Sequence, residues 1–390
     1  MALDIKHEKG IPLDRQEDFT WRDLVREPIS KLNDDAFTRL RIILMNGIEM
    51  EANRFQHFFA RQNRDLRLHL ARVRRIEAHQ QVLVNWLLPA DQSPIETTIA
   101  YEQVAIEVTA SLALLEPDPY MAQIHRFGLL EDFDHLYRYS ALLDRLEGKD
   151  ANSILQSYTD ILPGRPTMVE HRHPDDDVRL PYDRTSAAPI TKISALTIVS
   201  GEQQTQNYYQ NIGPFFADPM ARLLYAEIAH IEEQHVTQYE SMQDPTETML
   251  EKWVLHELTE VWNYLGCMEQ ETNSRIKAIW ERALAHELGH LHYVMDLFQR
   301  IENRDPMEIV PESLPERIGY MSHRDYVRKV LADEVDLRAV GPRFVPESQV
   351  PPNSPSIAYR NQLNSEGSPS QTVAAGYHWV PGTEMAKKAA

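Results

Sequence analysis

The chain has 390 residues, of which 40 are Lys or Arg and 59 are Asp or Glu, for a net charge of −19. At roughly 100 to 200 residues per domain this length accommodates two or three domains, and a 42% hydrophobic content is that of a globular chain. The acidic balance disfavours nucleic acid or an anionic membrane as partner, since both call for clustered basic charge. No apolar run approaches the ~18 residues of a membrane span, and MALDIKHEKG lacks the apolar core of a secretion signal, so a cytoplasmic location is expected. The one cysteine, Cys267, excludes an intrachain disulfide, a thiolate zinc cage and a CxxC redox pair.

Glycine is scarce (14 residues), and apolar residues recur at three- and four-residue spacing, which predicts an all-α protein. After an N-terminal extension over 1–36, Asn33, Asp34 and Asp35 offer N-caps for a helix through LRIILMNGIEMEANRFQHFFARQ. RLHLARVRRIEAHQQVLVNWLL follows and stops at Pro89; IETTIAYEQVAIEVTASLALL begins after Ser93 and Pro94; the fourth helix runs from about Pro119 to Leu146, closed by Gly148. Short connections predict an antiparallel four-helix bundle over 37–160.

Residues 161–190 carry Pro163, Pro166, Pro174, Pro181 and Pro189 around EHRHPDDD, which breaks regular structure and makes this stretch a linker or a long functional loop. Its His171, His173 and Asp175 to Asp177 could form a metal patch or a lid, with a solvated loop the favoured reading. Four helices then fill 191–303: TKISALTIVSGEQQTQNYYQNI, DPMARLLYAEIAHIEEQHVTQYESM, PTETMLEKWVLHELTEVWNYLGCMEQE and SRIKAIWERALAHELGHLHYVMDLFQRIE. The chain thus reads as two bundles in tandem. Residues 304–390 are expected to hold a short helix after Ser322 and then a Pro-, Ser- and Asn-rich tail, extended or disordered.

A shift of 155 residues lays Glu232 on Glu77, His235 on Gln80, Glu257 on Glu102, Glu260 on Ala105, Glu287 on Asp132 and His290 on His135. The first helices need slippage, with Glu49 or Glu51 the carboxylates nearest the counterpart of Glu202. Internal duplication followed by divergence is favoured over the register agreement that any two similar four-helix bundles show.

In the second half, Glu232 and His235 stand three residues apart, as do Glu287 and His290. On a helix this spacing puts a carboxylate and an imidazole on one face, about a turn apart. Two such pairs, plus Glu202 on the first helix and Glu257 with Glu260 on the third, form the donor set of a di-metal carboxylate site. Burying these carboxylates on apolar stripes is costly unless cations neutralise them. Mixed carboxylate and imidazole donors suit iron or manganese better than calcium or zinc. Glu227-x-x-His230 competes with Glu232-x-x-His235, but lies about 140° around the helix. His256, His286 and His292 are expected on the surface or beside ligands, and Trp253, Trp262, Tyr225, Tyr239, Tyr264 and Tyr293 in the core. A second, weakened site is read from Glu51 (or Glu49), Glu77, Glu102, Asp132 and His135.

The order Glu202, Glu232-x-x-His235, Glu257-x-x-Glu260, Glu287-x-x-His290 resembles the ferritin-like superfamily, and rubrerythrin-like proteins within it, closely over 191–302 and loosely over 37–150. The resemblance implies two ferritin-like bundles, the first degenerate, a di-iron or di-manganese centre, and redox chemistry on peroxide or O2. It leaves open an oxygenase acting on a small organic substrate, and a ferroxidase. A non-catalytic helical scaffold is the alternative outside metal chemistry. The rubredoxin-type cysteine module is absent, so electrons would come from a separate donor. Assembly into a homo-oligomer is also compatible with the resemblance.

Overall fold

In the computed structural model, which describes residues 3–382, the eight predicted helices are all present: α1 Ala36–Gln62, α2 Arg67–Asn85, α3 Pro94–Leu115, α4 Pro119–Glu147, α5 Pro189–Ile212, α6 Pro219–Glu240, α7 Met249–Gln270 and α8 Ser274–Glu302. Side-chain caps start six of the eight, and α2 and α5 begin without one. Asp35 accepts from the Phe37 amide, Asp218 from that of Ala221, and Asn273 from those of Arg275 and Ile276. Ser93 with Glu96, and Thr248 with Glu251, form reciprocal capping boxes. Gly148 ends α4 in the left-handed region.

The helices pair as hairpins, α1 with α2, α3 with α4, α5 with α6 and α7 with α8. The hairpins do not combine in chain order. Gln80 on α2 bonds Glu287 on α8, Tyr264 on α7 bonds Glu49 on α1, and His69 on α2 meets the Tyr293 hydroxyl on α8 at 2.5 Å. The first and last hairpins therefore make one bundle, here called outer. Tyr209 on α5 bonds Glu102 on α3 at 2.5 Å, and His235 on α6 lies 3.3 Å from Asp132 on α4, so the two middle hairpins make the inner bundle. This corrects the expectation of one bundle over 37–160 and another over 191–303. Amphipathic faces and short loops dictate the hairpins, but hairpins with equivalent faces can be combined in more than one way.

The bundles meet where α1 crosses α5. A Cβ at Gly47 would lie 2.9 Å from the Ser200 carbonyl oxygen, so glycine permits the approach, and Gln204 bonds both Asn46 and the Ile43 carbonyl across the seam. One apolar core runs through both bundles. Helix α3 alone among the described helices has the length and apolarity to cross a membrane, contrary to the expectation of no such segment; 89% of its most apolar window is buried inside the protein.

The segments outside the bundles are ordered against them. The linker is partly buried rather than wholly solvated: Asp134 on α4 holds the Gly164 amide at 3.0 Å and the Thr167 amide at 2.7 Å, and Glu170, His171 and Arg172 are shielded from solvent. His173 remains half out and caps a short turn. The tail is neither extended nor disordered through residue 382. It forms α9 Arg324–Glu334, a hairpin of β1 Leu337–Val340 with β2 Arg343–Pro346, α10 Pro355–Leu363 and α11 Pro369–Ala374. Two of its prolines, Pro355 and Pro369, sit at the first helical positions of α10 and α11, where no amide hydrogen is needed. Residues 383–390 lie outside the described part.

Candidate metal centre

The inner cluster draws one or two donors from each of α3, α4, α5 and α6: Glu102, then Asp132 and His135, then Glu202, then Glu232 and His235. All six side chains are buried. They fall into two overlapping sets, one of Glu102, Asp132, His135 and Glu232, the other of Asp132, Glu202, Glu232 and His235, with donor atoms in each set within 4.8 Å of one another. Nδ1 of His235 lies 3.2 Å from Glu232, 3.3 Å from Asp132 and 3.5 Å from Glu202. Nδ1 of His135 lies 3.0 Å from Glu232 Oε1, yet without hydrogen-bond alignment.

Each ring turns its other nitrogen to a carboxylate. Nε2 of His235 meets Glu131 at 2.8 Å, and Nε2 of His135 meets Glu170 at 3.1 Å. An imidazole that donates Nε2–H to such an acceptor presents the Nδ1 lone pair to the cluster, the arrangement that orients metal-ligating histidines.

The outer cluster comes from α1, α2, α7 and α8. Glu77, Glu257, Glu287 and His290 place donor atoms within 4.8 Å of one another. Nδ1 of His290 lies 3.0 Å from Glu287, 3.8 Å from Glu257 and 3.9 Å from Glu77, while its Nε2 meets the side-chain oxygen of Gln16 at 2.7 Å. Gln16 is held there by the N-terminal segment, which lies so close to α8 that a Cβ at Gly289 would be 1.9 Å from the Ile11 carbonyl oxygen. Glu49 and Glu260 are buried beside this set. Gln80, the residue aligned with His235, puts its amide nitrogen between Glu49 (2.9 Å) and Glu287, and accepts from His286 Nδ1 at 3.0 Å.

The electrostatics show what these clusters lack. The recorded ion pairs of their carboxylates are all to histidine. Burial, reinforced by neighbouring carboxylates, pushes Glu102, Asp132 and Glu202 up in the inner cluster, and Glu49, Glu77, Glu257 and Glu260 in the outer one. Glu232 is buried too, but the two imidazoles beside it outweigh that and hold it at about 2. Both oxygens of Asp132, Glu202 and Glu260 are buried without a hydrogen-bond partner. Unpaired buried carboxylates cost several kcal/mol each, and divalent cations would neutralise them in place. The donor sets therefore fit metal ions.

The single second-half set expected from the sequence is divided. Glu202, Glu232 and His235 are in the inner cluster; Glu257, Glu260, Glu287 and His290 are in the outer one. Of the expected second site, Glu102, Asp132 and His135 complete the inner cluster and Glu77 joins the outer. Glu51 joins neither: two residues from Glu49 is about 200° around α1, so its carboxyl faces a groove beside Arg54. Glu227 and His230 anchor the tail instead, through Ser368 and Ser370 and through Tyr359. His286 does lie beside a cluster residue, Gln80, as expected, and His256 is buried, stacked on Phe55 at 4.1 Å.

Gln16, Gln80, Glu131 and Glu170 were missed as site residues. Only Gln80 carried a signal, its register with His235. Comparisons with family models, with curated proteins and with solved structures found no match to this chain. What the fold and the clusters define is an all-α protein with two buried carboxylate and histidine sites that could each hold metal.

Proposed function

We propose that the inner cluster is a di-metal carboxylate centre, with iron the metal the donors suit best and manganese the alternative, in a ferritin-like oxidoreductase acting on O2 or peroxide. The observation that carries this reading is the overlap of the two inner donor sets at Asp132 and Glu232, since shared carboxylates are what two adjacent ions require. Glu102, Asp132, His135, Glu202, Glu232 and His235 would hold the ions. Two such metals supply the electron transfer to an oxygen substrate that side chains cannot.

The chain's own residues do the rest. Glu131 and Glu170 fix the ring orientation and tautomer of the two histidines. The Tyr209 hydroxyl holds a proton at Glu102 Oε1, and the buried hydroxyls of Tyr139 and Tyr239 are uncommitted. Burial pushes all three phenols up, so they stay protonated at neutral pH and keep those protons near the cluster. Leu136, Ile228 and Tyr225, all fully buried, exclude water. With Cys267 buried and no second thiol, electrons for turnover would come from a separate donor.

The test loads chelator-stripped protein with Fe(II) under argon and follows consumption of O2 or peroxide and the visible spectrum. Metal-dependent consumption that is lost in His135→Ala and His235→Ala is expected. Absence of stoichiometric metal, or equal consumption by the variants, would overturn the proposal.

A further inference from the structure

A cavity of about 150 Å³ lies between α4, the linker, β1 and α10, and nothing in the metal chemistry uses it. Arg165, Arg172, Arg338 and Arg360 line it, against the carboxylates of Glu131 and Glu347. In a chain of net charge −19 this is a concentration of positive charge from three separate segments, the linker, β1 and α10. Arg165 and Arg172 are nearly wholly buried, their guanidiniums 3.9 and 5.3 Å from the centroid of the Phe127 ring.

These cations are not used up within the protein. Arg165 and Arg172 both bond Glu131 Oε1 through Nη1, Arg172 also bonds Asp177 at 2.8 Å, and Arg338 bonds Glu347 at 2.8 Å. That leaves Arg165 Nε, Arg172 Nη2, Arg338 Nε and Arg360 Nε buried with no hydrogen-bond partner. Arg360 forms no recorded ion pair among the described residues; burial and the like charges of Arg338 and Arg172 hold its pKa down, partly offset by the carboxylates of Glu347 and Glu131. A buried unsatisfied donor is costly, more so when charged, so four around one cavity mark a missing acceptor. The acceptor must be anionic and must offer several oxygens, because guanidinium forks are matched by carboxylate and phosphate.

We infer that this cavity binds a small oxyanion, a carboxylate or a phosphate, one side chain away from His235. Its volume is about ten times the ~15 Å³ that one water needs, room for inorganic phosphate or a short dicarboxylate. Glu347, whose side chain is 63% exposed, places the mouth at the rim formed by the tail. The floor is Glu131, whose Oε1 takes the arginines and whose Oε2 holds His235 Nε2 at 2.8 Å. The tail is thus a wall of a binding site, which explains why a proline-rich segment is ordered here.

The experiment is calorimetric titration of the chelator-stripped full chain with inorganic phosphate and, separately, with malonate, at low chloride. Saturable binding of at least one probe is expected, weakened about tenfold or more in Arg360→Gln and in Arg338→Gln. Preference between the two probes assigns the ligand as phosphate or carboxylate. Arg360 is half-buried and its side chain has no recorded hydrogen bond to the described residues, so its variant is expected to fold, as circular dichroism will verify. Failure of both probes to saturate, or wild-type binding by both variants, overturns the inference. No metal is present in the titration, so its result is independent of the proposed redox centre, whose metal content is measured separately on the same variants.

Discussion

If the overlapping donor sets hold metal, their count fixes a stoichiometry. Two sets in the inner cluster and one in the outer correspond to three ions per chain. Asp132 belongs to both inner sets, so Asp132→Asn removes a shared donor and should release both inner ions, leaving one. Glu257 belongs only to the outer set, and Glu257→Gln should release that ion alone, leaving two. The same variants separate in stability. An ion present at a thousand times its dissociation constant stabilises the native state by about 4 kcal/mol. Loading should therefore raise the unfolding free energy of wild type by several kcal/mol, of Glu257→Gln by roughly two thirds of that, and of Asp132→Asn by roughly one third. Elemental analysis after desalting counts the ions, and denaturant unfolding with and without metal measures the gain. The reasoning is refuted if wild type holds fewer than three ions, or if the two variants lose the same ion.

Three further outcomes follow from individual contacts. Gln80→His restores the residue that the 155-residue register places there, and should add a fourth ion by replacing the amide that now bonds Glu49 and Glu287; unchanged metal content would show that Gln80 does not occupy a metal position. Glu170→Gln keeps an acceptor for His135 Nε2 but removes its charge, and should weaken metal binding about 10- to 100-fold, read by competition with a chelator; unchanged affinity would refute the orienting role. Burial, with Arg126 beside it, holds His125 down at about 3, and both its ring nitrogens lack partners. As pH falls below 6.5 the unfolded chain takes a proton that folded His125 refuses, so stability is lost from there down toward pH 3. His125→Phe should therefore gain about 2 kcal/mol on wild type between pH 7 and pH 5, measured by urea unfolding; a pH-independent difference would refute this.

The sequence made the helices legible because each signal is local. Asp35, Ser93 and Asp218 act within a few residues of their own helix ends, and the structure uses each of them. The buried carboxylates were legible for a similar reason: Glu232 with His235, and Glu287 with His290, share a face by helical spacing alone. The company each pair keeps was not. The 155-residue repeat makes α3 and α7 equivalent, and likewise α4 and α8, so either α3–α4 or α7–α8 could complete the set begun by Glu202 and Glu232. Composition of the pairs does not decide between them, since Asp132-x-x-His135 and Glu287-x-x-His290 offer the same donor types. The choice is made by long-range packing, at the α1 and α5 seam around Gly47 and by the linker that Asp134 pins to α4. Exchange has a chemical consequence. It sets His235 beside His135 and Asp132 instead of His290 and Glu287, and leaves Gln80 opposite His290, while one cluster holds two imidazoles and the other one imidazole and an amide whichever hairpins meet. The asymmetry of the two sites is thus set by Gln80 standing where the second half has His235, the partners of each donor are set by which hairpins meet, and the two halves of the chain, each with its own donors, do not act as separate units.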